Sequence, residues 1–201
     1  VAVGYRAGLA VTSGSKNTLI GGLAGDALTT GIVNVAVGYQ ALSSDTAGKR
    51  SVAIGNGALF TQNFTSATDT YNTAVGEAAG NGITTGTFNT LIGGLAGDGA
   101  TTASYSTALG YGSLGGAMTG EGNVALGVNT LLVATSAHSN TAVGTSAMSS
   151  VTTGTNNVAV GRNALDANTT ASNNTAVGYD ALGANTTGSE NTALGTDALK
   201  A

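Results

Sequence analysis

The chain contains no cysteine, no proline and no tryptophan. Without thiols it forms neither disulfides nor thiolate metal sites, and cysteine usage tells nothing of the redox compartment. The absence of proline leaves every residue a backbone N–H, as a ladder of hydrogen-bonded strands requires. Aromatic residues make up only 4% of the sequence and charged residues 8%, too little bulk for a thick globular core. Six Lys and Arg, of which only Lys49 and Arg50 are adjacent, stand against ten Asp and Glu, for a net charge of -4. No basic stripe exists to follow a nucleic-acid backbone, so that class of partner is excluded. No apolar run approaches the ~18 residues of a membrane helix, so no such insertion is expected in this segment. A disordered chain would be highly charged and poor in apolar residues. This one is 41% hydrophobic, and we expect it to be ordered.

What the sequence does have is a period. One glycine recurs at Gly4, Gly21, Gly38, Gly55, Gly76, Gly93, Gly110, Gly127, Gly144, Gly161, Gly178 and Gly195, at intervals of 17 residues except for 21 between Gly55 and Gly76. So short a fixed period means stacked units that need one another for burial. We read residues 1–201 as a single array with a four-residue insertion in the 60–71 loop. The array begins at the second position of a repeat and stops at the eleventh, which predicts a fragment of a longer fibrous protein.

Asn174 is taken as position 1 of the repeat and Gly178 as position 5. Position 2 is always Thr or Val, position 4 always Val, Ile or Leu, and position 3 is Ala in ten of twelve repeats. This alternation predicts a short strand. The glycine after it predicts a turn with φ > 0 or a close backbone approach. Position 9 supplies a second apolar contact, seen in Leu42, Leu59, Leu165 and Leu182, and Asn185-Thr186-Thr187-Gly188 typifies the closing turn. Asn at position 1, present in nine of eleven repeats, would stack as an amide ladder. A helix is rejected, because glycine at every anchor costs about 1 kcal/mol each in a helix interior. The expected fold is all-β: a parallel β-solenoid of about twelve 17-residue coils, a rod roughly 58 Å long.

With positions 2 and 4 lining the coil interior, the Ala column from Ala108 through Ala125, Ala142, Ala159 and Ala176 to Ala193 would form a smooth outer strip. Such a strip lets a second backbone approach closely. A self-associating chain is therefore expected.

Ser51-Val52-Ala53-Ile54-Gly55 resembles the hallmark of the head repeats of trimeric autotransporter adhesins. The longer unit Asn-Thr-Ala-Val-Gly-Tyr-x-Ala-Leu, closed by Asn-Thr-Thr-Gly, is similar to repeats of phage tail fibres and bacterial surface fibres. The resemblance covers all twelve coils, although the 17-residue period is longer than that of the adhesins. It implies a left-handed β-roll and a homotrimer around a common axis. It further implies an extracellular location on a cell or virion surface. The function expected is that of a structural or adhesive fibre segment displaying surfaces to a host-cell receptor or glycan. The alternative is a solenoid whose Thr rows bind ice or another ordered surface. The Thr pair at positions 13 and 14 suggests it, although adjacent strand residues point to opposite faces.

No constellation for catalysis or for a cofactor or metal is expected. Gly110 to Gly115 has the spacing of a dinucleotide-binding turn but consists of an in-phase anchor with no helical pattern after it. Gly21 to Asp26 and Gly93 to Asp98 lack the regular Asp column of calcium-binding nonapeptides. His138 is the only histidine, and Asp166, Asp180 and Asp197 fall on turns as solvated residues. The chain is read as no enzyme. The break in the period holds two of the three Phe, and its residues Phe60, Gln62, Phe64, Asp69 and Tyr71 form the candidate contact loop, against a structural reading in which they cover the coil edge.

Overall fold

In a computed structural model, described over residues 1–200, the chain winds as a parallel β-solenoid. Ala201, at the end of the expected array, lies outside the described residues. Twelve strands of two or three residues, from Ala2–Val3 to Thr192–Leu194, hydrogen-bond in chain order into one parallel sheet. Partners lie one repeat apart, as Thr141 on Val158, and 21 residues apart across the insertion, as Val52 on Thr73. No helix occurs among the described residues.

The corners are built from left-handed backbone. In the coil of Gly178, Asn173 (φ 61°), Asp180 (φ 55°) and Leu182 (φ 52°) all adopt it, and the pattern repeats along the rod. Such a conformation costs about 1–2 kcal/mol per non-glycine residue. The compensation is longitudinal, because each corner donates to a neighbouring coil: Asn173 N–H to Thr155 O (3.0 Å), Asp180 N–H to Arg162 O (3.0 Å) and Leu182 N–H to Ala198 O (2.9 Å). The anchor glycine is stricter. Gly127 sits at φ 138°, and a Cβ there would stand 2.8 Å from the Gly144 carbonyl of the next coil. Both the dihedral and the space require glycine.

The faces of the strand are the reverse of those expected. The position-3 column is the interior: Ala108, Ala125, Ala142, Ala159 and Ala176 are completely buried, while positions 2 and 4 point outward. Alternation alone is symmetric and does not say which face is in. Volume decides it. The position-9 side chains Leu131, Met148, Leu165 and Leu182 enter from the opposite wall and leave room for little more than a methyl group. Two coils carry Leu at position 3 instead, and position 9 is then glycine. A Cβ on Gly8 or Gly25 would lie 2.7 or 2.8 Å from Leu19, and one on Gly80 or Gly97 2.8 Å from Leu91. Each Leu occupies the space vacated in its own coil and in the coil before it.

The amide ladder is present. Asn140 Oδ1 accepts from the Asn157 backbone N–H (2.9 Å) and side chain (3.1 Å), while its Nδ2 donates to Gly154 O (2.8 Å) and Asn123 Oδ1 (3.2 Å). Where Ser51 replaces Asn, Gln62 bridges the gap. It donates to Ser51 Oγ (2.9 Å) and accepts from Asn72 Nδ2 (2.9 Å). No buried side-chain nitrogen or oxygen lacks a partner among the described residues.

Candidate binding and assembly surfaces

Turning the strand inside out places its β-branched face on the surface. Position 2 contributes Thr and Val, and position 4 an unbroken aliphatic row: Val3, Ile20, Val37, Ile54, Val75, Ile92, Leu109, Leu126, Val143, Val160, Val177 and Leu194. The row runs the whole length of the sheet. Several members are more than a third exposed, Leu109 at 49% among them. At one coil per ~4.8 Å the strip is about 50 Å long, and contiguous apolar patches of that extent mark contact surfaces.

A second surface runs along the position-17 corner, where left-handed backbone aims side chains outward. Here Tyr71, Phe88 and Tyr105 stack face to face, with ring centroids 5.3 and 5.1 Å apart and planes within 19° and 5°. The spacing matches the coil rise, so the rings form a ladder whose edges meet solvent. Arg50 closes one end: its guanidinium lies 5.6 Å from the Tyr71 centroid, Nε donates to Tyr71 Oη (3.0 Å), and Asp69 Oδ1 lies 3.5 Å from Nε. The other end is open. Position 17 of the next coil is Gly122.

These facts divide the expected contact loop. Asp69 and Tyr71 are exposed on this edge, and Phe60 lines a separate surface groove of about 250 Å³ with Gln40, Asn56, Glu77 and Asn81. Gln62 and Phe64 are buried, which corrects their assignment as contact residues. Phe64 is held inside because its N–H donates to Asp45 Oδ1 (3.0 Å) and its carbonyl accepts from Ala47 N–H (2.8 Å).

Asp45 itself was missed in the sequence. It is completely buried, accepting from Gly48 N–H (3.1 Å) and Gln62 Nε2 (2.7 Å) as well as Phe64. Burial pushes its carboxyl above the usual carboxylate range against the opposing effect of these donors. A signal existed. Position 12 is apolar in Leu28, Ile83 and Val151, and it turns polar in the successive coils of Asp45 and Gln62, beside the lengthened closure, before doing so again at Asn168 and Asn185.

The remaining turn residues make local contacts. His138 Nδ1 accepts from Glu121 N–H (3.1 Å). Asp180 and Asp197 share the Lys200 ammonium at 2.6 and 3.1 Å, and Asp166 is pushed up by burial and then by the nearby Asp180 charge. Asp26 Oδ1 accepts from Ser43 Oγ (2.6 Å). Gly110 is an anchor like the others, at φ 131°. Position-13 hydroxyls are consumed internally, Thr152 donating to Thr169 O (3.0 Å) and Thr135 to Thr152 O (3.0 Å). Among the described residues, no three His, Asp or Glu gather as a metal site. Among these residues, too, no helix is long and apolar enough to cross a membrane. Comparison with protein families, curated proteins and solved structures finds no match.

Proposed function

We propose that the chain is a structural or adhesive segment of an extracellular fibre, on a cell or virion surface, that associates with copies of itself and displays surfaces to a receptor or glycan. One observation carries the reading: the exposed aliphatic row from Val3 to Leu194, which runs the length of the rod. Burying that row against other copies removes a long apolar strip from water at ~25 cal/mol per Å², and closed symmetry ends the assembly. The choice of three copies rests on the adhesin and fibre resemblance. The seam is thus the position-2 and position-4 face and not the Ala column. A rigid rod with a dedicated seam suits a shaft that holds other surfaces at a distance. The ordered-surface alternative loses support, because the position-13 hydroxyls are spent on the neighbouring coil.

Light scattering on the chain tests the seam. We expect a trimer for the parent and monomers, still rich in β-structure, for Val143→Glu/Val160→Glu, whose carboxylates would face one another across the interface. A monomeric parent, or an unchanged mass for the double variant, overturns the proposal.

A further inference from the structure

We infer that the open end of the aromatic ladder, at Tyr105 and Gly122, is a stacking slot for a single pyranose ring. The inference rests on the display reading above and specifies a ligand class and a place for it. The position-17 row reads Arg50, Tyr71, Phe88, Tyr105, Gly122, Ser139. Each ring in the stack is covered on both faces by its neighbours, or by Arg50 at the first end, except Tyr105. The next residue of its column is Gly122, which offers no side chain to stack on its outer face, and Tyr105 is the most exposed of the three, at 61% against 48% for Tyr71 and 44% for Phe88.

Gly122 is a missing rung. It keeps the left-handed conformation of the row (φ 69°), and a Cβ there would meet nothing nearer than Ser139 Oγ at 3.8 Å. Two coil rises separate Tyr105 from Ser139, roughly 10 Å, which accommodates one ring stacked at ladder spacing on each side. The rim favours a sugar over an aromatic side chain. Glu121, His138 and Ser139 are all exposed around the gap, offering a carboxylate, an imidazole and a hydroxyl. A pyranose stacks its C–H face on an aromatic ring and directs hydroxyls outward to such groups, whereas a phenyl ring would make no hydrogen bond to them. The edge is a different row from the aliphatic seam.

The test uses the whole chain with methyl pyranosides (galactoside, glucoside and mannoside) as probes and N-acetyl-tyrosinamide as the aromatic comparator, read by saturation-transfer NMR and titration. At least one pyranoside should bind. Tyr105→Ala should weaken it about tenfold or more. Gly122→Phe should abolish it, since the new ring fills the slot as Phe88 and Tyr105 do at φ 59° and 57°. That variant is expected to fold, because stacking on Tyr105 offsets much of the strain of a side chain at φ 69°, so its loss of binding reports occupancy of the slot once folding is checked by circular dichroism. Tyr71→Ala, at the far end, should leave affinity within about twofold. Absence of binding by every pyranoside, binding retained in Gly122→Phe, or binding of the aromatic comparator alone each overturns the slot. Chain mass measured on the same samples judges the seam separately. Failure of the slot with a trimeric mass leaves the fibre reading standing.

Discussion

Introducing a third Leu at position 3 should damage the rod unless two position-9 residues are shortened with it. Ala142 is completely buried, with Met148 at position 9 of its own coil and Leu131 at position 9 of the coil before, both also completely buried. Ala142→Leu adds three carbons to that space and should cost about 1–3 kcal/mol or more through overpacking. Leu131→Gly/Met148→Gly empties it. Two large-to-small changes cost about 2–5 kcal/mol each, lessened by about 1 kcal/mol per site because Leu131 (φ 48°) and Met148 (φ 52°) sit in left-handed backbone that glycine adopts freely. The triple variant reproduces the arrangement of Leu19 with Gly8 and Gly25. It should recover at least about 2 kcal/mol relative to the sum of its parts. Denaturant unfolding followed by circular dichroism measures this cycle, with hydrogen exchange on the flanking coils to detect local opening. Additivity within about 0.5 kcal/mol would refute the exchange of volume between the two columns.

Three other outcomes follow from the same geometry. Gly127→Val should lower the melting temperature far more than Thr145→Ser on the exposed corner, because it combines a φ of 138° with a backbone clash; equal shifts would contradict the anchor role. Asn140→Leu removes the acceptor of Asn157 N–H and the donor to Gly154 O and should cost about 1–3 kcal/mol in equilibrium unfolding, whereas a neutral result would mean that the ladder contributes no net stability. Asp45 holds its proton more tightly when folded than when unfolded, where its ordinary value is 3.8. Its stabilising contribution is therefore complete below that pH and is lost as pH rises through the higher folded value. Unfolding titrations should show this fall flattened in Asp45→Asn; an unchanged slope would exclude Asp45 as its source.

The period, the strand, the anchor turn and the Asn ladder were legible because each repeats in all or most coils and so survives averaging over columns. The strand's inner face was not. Thr-Ala-Val reads equally well with either side buried, and the habit of burying the larger side chains pointed the wrong way. The decisive sign was a correlation between columns: Leu19 and Leu91 at position 3 coincide with Gly8, Gly25, Gly80 and Gly97 at position 9. Taken column by column, those four glycines suggest a weak core. Taken as pairs, they locate it, because a side chain can be exchanged for a hydrogen only with the residue it touches.

The candidate surfaces were less legible, since they depend on which way a corner aims its side chains. Tyr71, Phe88 and Tyr105 share position 17, but aromatic residues at one turn position do not announce a stack until the corner is known to be left-handed in successive coils. The insertion obscured the point further. Its residues are adjacent in sequence, yet Gln62 and Phe64 turn inward to serve Asp45 and Ser51, Phe60 faces one groove, and Tyr71 starts a ladder on another edge. In a solenoid the neighbour that matters lies one coil away. A contact surface is therefore a column read along the rod, and the lengthened closure matters less as a loop than for where the column resumes after it, at Tyr71, with three aromatic corners in line beneath Arg50.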